Sequence, residues 1–350
     1  MNKSALGNFT DSRNNNLTAI RLIAALMVLF YHSFSLMLLP DIQVLFIQKT
    51  QWGTMGVFIF LLISGFLITK SVENNNSIKY FWSRILRIFP ALIVLVLATI
   101  FILGPLVTKF TLGEYYSNPE TWSYFKTLSL YVIPIHLPGV FTNNLNSMVN
   151  GPLWTLSYLF TFYLVVFVLA ASKILRNKEL ILGLFILSFV LCIFKASSSI
   201  NTLNITFSNY ITLFTYFSFG MVLYLHRDQI PIRLDIFLFV IILLIIASAY
   251  HGFSITLAVF PVGYLIMFLA YSPSVNLRWL TKWGDFSYGF YIWAWPIQQT
   301  ILNYFGKMNP WLLFLSSGII TYCIAALSWH LIEKRMLKLK SLRIVKTALA

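Results

Sequence analysis

Two residues in the first apolar stretch, Arg21 and His32, have the types and the spacing that chemistry inside a membrane requires. Eleven helical steps of about 100° return both side chains to one face, roughly 16 Å apart along the axis. A guanidinium binds anions, and an imidazole removes a proton from a hydroxyl near neutral pH. The alternative is a packing role, because an intramembrane histidine also holds neighbouring helices together by hydrogen bonding.

A second cationic pair, Arg84 and Arg87, stands three residues apart just before Pro90, so both side chains share one helical face. Guanidinium groups grip phosphates through paired hydrogen bonds. The pair would equally suit anchoring at lipid headgroups, as Lys and Arg do at the inner ends of membrane spans. The spacing leaves both roles open.

The elements that position these residues are apolar helices. The chain of 350 residues is 59% hydrophobic and only 10% charged, which excludes an ordinary soluble domain. Its hydropathy predicts an all-α integral membrane protein, a bundle of about ten transmembrane helices. The predicted spans are 17–39, 54–70, 88–106, 151–172, 179–195, 206–225, 233–250, 252–272, 285–305 and 311–332.

The net charge of +15 is unevenly placed along these spans. Only five of the 25 Lys and Arg fall on predicted outer segments, and the rest lie on cytoplasmic segments or span ends. This asymmetry predicts that both termini are cytoplasmic. Basic residues collect on the cytoplasmic side of a lipid bilayer, which explains the net charge, so we expect no nucleic acid as partner. The five are Lys49, Lys109, Lys126, Lys195 and Lys307.

The predicted organisation is a cytoplasmic N-terminal segment at 1–16, a transmembrane domain at 17–332 and a basic cytoplasmic tail at 333–350. No small-residue cleavage site follows the first span, so we expect it to remain as an anchor. Cys192 and Cys323 lie in different spans without a metal-ligand or redox spacing. We therefore expect packing cysteines and no metal.

The single long outer loop, residues 107–150, is rich in aromatic and amide side chains. Such a surface can stack on sugar rings and hydrogen-bond their hydroxyls, or it can form an interfacial aromatic belt. Its length favours a functional role. The side chains are Tyr115, Tyr116, Trp122, Tyr124, Tyr131, His136, Asn143, Asn144, Asn146 and Asn150.

An ordered set of motifs resembles the acyltransferase-3 family of bacterial membrane O-acyltransferases. The set begins with Arg-x10-His in the first span and Gly-Val-…-Ser-Gly-Phe-Leu-Ile in the second. It continues with Arg-x2-Arg-Ile-x-Pro before the third span and Leu-Trp-Thr-Leu-Ser-Tyr at the start of the fourth. Asp-Phe-Ser-Tyr-Gly-Phe-Tyr…Pro in the ninth and the terminal Leu-Ile-Glu-Lys also fit. The resemblance spans the chain, in the membrane-only form without an extra hydrolase-like domain.

The resemblance implies an enzyme of the bacterial cytoplasmic (inner) membrane. It would move an acyl group, usually acetyl, from cytoplasmic acyl-CoA (acetyl-CoA) to a hydroxyl of an extracytoplasmic glycan, such as a surface polysaccharide or lipopolysaccharide O-antigen. His32 would be the catalytic histidine and Arg21 its companion. Arg84 and Arg87 would bind the acyl-CoA. Further candidates for lining the substrate site are Trp154, Ser157, Tyr158 and Tyr288.

One position departs from the family pattern. Relatives commonly carry Glu in the fourth-span motif where this chain has Leu159, and no other Asp or Glu lies deep in a predicted span. A carboxylate there would fix the tautomer of His32 and stabilise the imidazolium form. The chain therefore finds another partner for His32 or is a weakened variant. Similar depths in the two spans predict that Leu159→Glu would bring a carboxylate to His32 and raise turnover.

Two other classes of function remain open. A transporter or flippase for a small anion or glycolipid would use intramembrane cations as binding or relay groups. Paired broken helices in matching halves would favour it. The breaker that we identify is Pro296 in the ninth span, and we expect Gln298 or Gln299 to satisfy the carbonyl it frees. A non-catalytic scaffold is the third class, which Leu159 favours.

Overall fold

The computed structural model describes residues 5–11, 14–40, 47, 50–73, 76–194, 201–202, 205–249 and 254–341. Several predicted features lie outside these ranges. They are parts of the N-terminal segment (1–4 and 12–13), the outer residues Lys49 and Lys195, the span ends at 250 and 252, and the tail from 342 to 350.

The described part of the chain contains ten helices of at least thirteen residues. They are α1 Leu17–Ser35, α2 Trp52–Glu73, α3 Ser77–Ala98, α4 Trp154–Ala171, α5 Lys178–Ile193, α6 Phe207–Leu225, α7 Leu234–Ala249, α8 Val259–Tyr271, α9 Ser287–Phe305 and α10 Pro310–Ser328. Two of them continue through π-helical turns: α3 through Thr99–Leu103 into Gly104–Val107, and α10 through Trp329–Glu333 into Lys334–Lys338.

Shorter elements connect these helices. The prediction of an all-α fold is confirmed, since the described strands are a single antiparallel pair of two residues each, Asn201–Thr202 and Ile205–Thr206. The short helices and turns are Gly7–Thr10, Leu112–Ser117, Pro119–Ser123, Tyr124–Ser129, Gly151–Leu153, Ile174–Arg176, Arg278–Thr281 and Leu339–Ser341.

Five helical segments in the described ranges are long and apolar enough to cross a membrane. They include α1, α2 and α4 (counted from Gly151), together with α3 and α10 extended to Val107 and Lys338. Two more apolar helices, α7 and α8, are shorter than a usual span, with 16 and 13 residues.

Side-chain caps set where several helices begin. The amide oxygens of Asn76, Asn177 and Asn309 each accept a backbone N–H from the first turn of α3, α5 and α10. Proline at the first position of α10 has no N–H to leave unsatisfied there. These starts are therefore fixed by local sequence as well as by packing.

Helix α2 packs closely against both α1 and α6, and two glycines make the contact with α6 possible. A Cβ atom on Gly65 would overlap the backbone carbonyl of Phe217, and one on Gly220 would overlap that of Leu62. Backbones can meet this closely only where side chains are absent, as in tightly crossing membrane helices. The face of α2 that carries Gly65 is thus held directly against the α6 backbone.

Pro296 interrupts the hydrogen bonding of α9, and a residue from another element compensates. The missing N–H leaves the Ile292 carbonyl without its helical donor. Asn150 donates its side-chain amide to that carbonyl at 2.9 Å. Gln298 and Gln299, either of which the sequence offered for this role, have other partners. Gln298 donates to the Ser33 hydroxyl on α1 at 2.7 Å, and Gln299 donates to the Asn146 carbonyl at 2.6 Å.

Residues 107–150 fold onto the end of the bundle. Tyr115 and Tyr124 are fully buried, and the Asn144 amide donates to the Gln299 carbonyl at 2.9 Å. Several of the side chains proposed for sugar contact therefore hold this segment in place. Trp122 stays accessible, with 43% of its surface exposed.

Candidate active site

Two arginines and two carboxylates form an ion-pair cluster at one end of the bundle, which we call the arginine end. Asp285 Oδ2 accepts from Arg21 Nη1 at 3.0 Å and from Arg87 Nη2 at 2.6 Å. Arg87 Nη1 also lies 3.5 Å from Glu333 Oε2, whose side chain is only 1% exposed. The cluster joins α1, α3, the segment just before α9 and the extension of α10.

Arg84 stands beside this cluster but has different partners. Its Nε donates to the Ser83 hydroxyl at 3.1 Å, and its guanidinium lies 6.0 and 5.9 Å from the ring centres of Tyr80 and Tyr163. No carboxylate in the described ranges forms an ion pair with it. Of the two arginines that share a face of α3, Arg84 is therefore the one whose charge no described carboxylate neutralises.

Three cavities follow one another from the arginine end to His32. The first, the arginine cavity, has a volume of about 280 Å³. The middle cavity is narrow, about 60 Å³, and the histidine cavity measures about 480 Å³. The first two share the lining residues Arg21, Ser64, Arg87 and Tyr163. The last two share Val57, Thr155 and Tyr291. The row therefore runs along α2, with α1, α4 and α9 around it.

His32 lines the histidine cavity and is partly buried there. Its ring meets that of Trp295 edge to face, with the centres 4.8 Å apart, and Nδ1 lies 3.4 Å from the Ser35 hydroxyl. Among the residues described, no carboxylate forms an ion pair with the imidazole. A hydroxyl and an aromatic ring therefore orient it.

A hydroxyl pair separates the middle cavity from the histidine cavity. The Tyr291 hydroxyl lies 2.6 Å from that of Thr155, and it donates a hydrogen bond to the Pro152 carbonyl at 3.0 Å. Sequence reasoning missed both residues, although each lies inside a motif that it did single out. Which motif side chain faces a cavity depends on how α4 and α9 are rotated.

Leu159 and Tyr288 both line the middle cavity. Leu159 faces the same space as Arg21, and it is not among the residues around the histidine cavity. Tyr288 donates its hydroxyl to the Ile88 carbonyl at 2.9 Å. The structure thus does not bring Leu159 and His32 into a common cavity.

The remaining predicted residues lie close together at the start of α4. Trp154 lines the histidine cavity and is 39% exposed. Ser157 is buried and donates its hydroxyl to the Leu130 carbonyl, and Tyr158 is buried with its ring edge-on to Trp154 at 5.4 Å. Neither Ser157 nor Tyr158 lines the three cavities above. Within the described ranges, no group of three His, Cys, Asp or Glu side chains has an arrangement that could hold a metal ion.

Comparison with known proteins agrees with the motifs. Residues 14–330 match the model of an acyltransferase domain family, Acyl_transf_3. The chain is 28% identical to the O-acetyl transferase of Shigella phage Sf6, over 93% of this chain and 96% of that protein. It is also 28% identical to nodulation protein 10 of Rhizobium leguminosarum bv. viciae, over 95% of each chain. No solved structure matches it. The chain thus belongs to the acyltransferase-3 family, and it is an O-acyltransferase of the membrane.

Proposed function

We propose that this protein moves an acyl group, acetyl in the simplest case, from acyl-CoA at the arginine end to a glycan hydroxyl at the histidine end. The row of three cavities carries the proposal, because it links a cationic chamber with the chamber that holds His32. The name of the phage relative, an O-acetyl transferase, supports acetyl transfer to oxygen.

The arginine end faces the cytoplasm in this proposal, where acyl-CoA is found. The uneven distribution of Lys and Arg supports ten spans with both termini on that side. Helices α5 to α9 would add five spans to the five that length and hydropathy support. The membrane would be the bacterial inner membrane, with the glycan acceptor outside the cytoplasm.

On the donor side, Arg84 and Arg87 would have separate tasks. Because Arg84 forms no ion pair with any carboxylate that the structure describes, its charge is suited to a phosphate of acyl-CoA. Arg87 lies at the same cavity but is held by Asp285 and Glu333, so it shapes the site while contributing less free charge. The thin thioester arm of the donor would extend into the middle cavity while its phosphates stay in the arginine cavity.

On the acceptor side, His32 would act as general base. It would take the proton from an acceptor hydroxyl as that oxygen attacks the thioester carbonyl. A carbon–oxygen bond forms, the carbon–sulfur bond breaks, and the departing thiolate takes the proton from the imidazolium. The products are an O-acyl ester and coenzyme A thiol. Ser35 and Trp295 would hold the ring in one orientation during these steps.

The acceptor would bind in the histidine cavity. Trp154 offers an aromatic face on which a sugar ring can stack, and polar side chains line the same wall. Among them, Gln51, Thr54 and Asn209 can hydrogen-bond sugar hydroxyls. The glycan that receives the acyl group can be identified with a panel of candidate acceptors.

The test uses membranes that contain the protein, acetyl-CoA labelled in the acetyl group, and a panel of candidate glycans. We expect label in a base-labile ester on one glycan, and none in matched membranes with His32→Ala. The same assay in sealed vesicles distinguishes acyl transfer from transport, because label inside and outside the vesicles can be measured separately. Label that crosses the membrane without any ester would contradict acyl transfer and support a transporter.

A further inference from the structure

The C-terminal extension of α10 reaches back to the donor side of the protein. The family match ends at residue 330, but Lys334–Lys338 and the turn Leu339–Ser341 continue and pack on α3. Lys340, in that turn, is partly buried, and its side chain lines the arginine cavity. A basic segment outside the matched domain therefore completes the wall of this cavity.

The charges around the arginine cavity do not balance. Arg21 and Arg87 share the carboxylate of Asp285, and Arg87 also reaches Glu333. Neither Arg84 nor Lys340 has a carboxylate partner within the part of the chain that the structure describes. Four cations against two carboxylates leave two positive charges in one partly enclosed space, and such a space attracts an anion.

We propose that Lys340 is a donor-binding residue, and that Lys340 and Arg84 together hold one phosphate group of acyl-CoA. This inference rests on the proposed function and names a residue of its donor site. A phosphate dianion would match the two unpaired charges. Arginine provides a planar fork and lysine a mobile point charge, two complementary ways to contact phosphate oxygens.

The surroundings of Lys340 also lower the pKa of its amine. Burial, together with the neighbouring charges of Arg84 and Arg87, lowers the pKa of Lys340 to about 8. A bound phosphate would favour the charged amine and raise that pKa again. The other titratable or charged side chains that line the same cavity are Arg21, Tyr163 and Asp285.

The experiment measures coenzyme A binding to the purified full-length protein in phosphatidylcholine nanodiscs. Lys340→Met removes the charge but keeps an apolar stem, and we expect it to weaken binding roughly ten- to thirtyfold. Lys340→Arg keeps the charge and should bind within about threefold of the unaltered protein. Lys334→Met is the matched control, because Lys334 is exposed on the adjoining helix Lys334–Lys338 and does not line the cavity.

Other results would separate this inference from the proposed function. Unchanged coenzyme A binding in Lys340→Met would overturn the role of Lys340 and leave the proposed function intact. Absence of binding in the unaltered protein would overturn both. Nanodiscs with phosphatidylglycerol test a lipid phosphate as the source. If Lys340→Met lost phosphatidylglycerol but kept coenzyme A, a headgroup would be the ligand and the donor role would be refuted. Equal thermal unfolding of the two proteins would exclude misfolding as the cause of weaker binding.

Discussion

Replacing Arg84 or Arg87 with Met should lower stability by very different amounts. Arg87→Met leaves Glu333, which is 1% exposed, with the Ser328 hydroxyl at 3.1 Å as its one remaining hydrogen-bond partner among the described side chains. Breaking a buried ion pair in this way costs about 3–5 kcal/mol. Asp285 keeps Arg21 at 3.0 Å, so we expect the lower end, about 3 kcal/mol. Arg84 has no carboxylate partner in the described ranges, and Arg84→Met should cost less than about 1 kcal/mol.

The assay is unfolding of each variant in one detergent, combined with a double-mutant cycle. Glu333→Gln removes the charge that Arg87→Met would leave unpaired, so the double variant should recover most of the lost stability. An Arg87→Met protein as stable as the unaltered one would refute the reasoning. So would a double variant that is no more stable than Arg87→Met alone.

Arg84→Met should also change the kinetics of acyl transfer. Arg84→Met should raise the KM for acyl-CoA with little change in that for the acceptor, because a phosphate contact contributes binding that is uniform along the reaction. A shift in acceptor KM alone would reassign Arg84 away from the donor.

Four further outcomes test the remaining parts of the site and the topology. His32→Ala should abolish ester formation while the yield of membrane-inserted protein stays the same, and full activity would leave His32 a packing residue. Leu159→Glu should leave turnover per folded molecule about unchanged, because Leu159 shares the middle cavity with Arg21 and Arg87 and a carboxylate there would pair with a guanidinium; a gain on the order of 10² would mean instead that the carboxylate reaches His32 as the sequence predicted. The KM for acyl-CoA should rise as the pH increases through about 8, where Lys340 loses its proton, and this rise should disappear in Lys340→Arg. Reporter fusions after residues 130 and 350 should report opposite sides of the membrane, and signals from the same side would contradict the ten-span topology.

Much of the fold follows from hydropathy because membrane helices must be apolar over most of their length. The first predicted span, 17–39, contains α1 at Leu17–Ser35, and the ninth, 285–305, differs from α9 at Ser287–Phe305 only at its start. The extension of α10 past its predicted end at 332 was missed, because its basic residues resemble a solvated tail.

The sequence predicts which residues belong to the candidate site better than it predicts their hydrogen-bond and ion-pair partners. Asp285 was visible as a carboxylate at a span end, yet its partner Arg87 is 198 positions away in the chain. Periodicity along one helix cannot reveal such a pair, since it depends on how distant helices pack. Ser157 gives the same lesson, because its motif position did not reveal that its hydroxyl is bonded to the Leu130 carbonyl.

The close contact between α2 and α6 has a consequence for which acyl groups can be used. Because Gly65 and Gly220 bring the two backbones together, α2 cannot retreat to widen the middle cavity. Space for the thioester must come from the opposite side, by separation of the Thr155 and Tyr291 hydroxyls. A passage with one immovable wall admits short chains with a small displacement and long chains only with a large one. If the proposed function holds, we expect this helix crossing to favour acetyl over longer acyl groups.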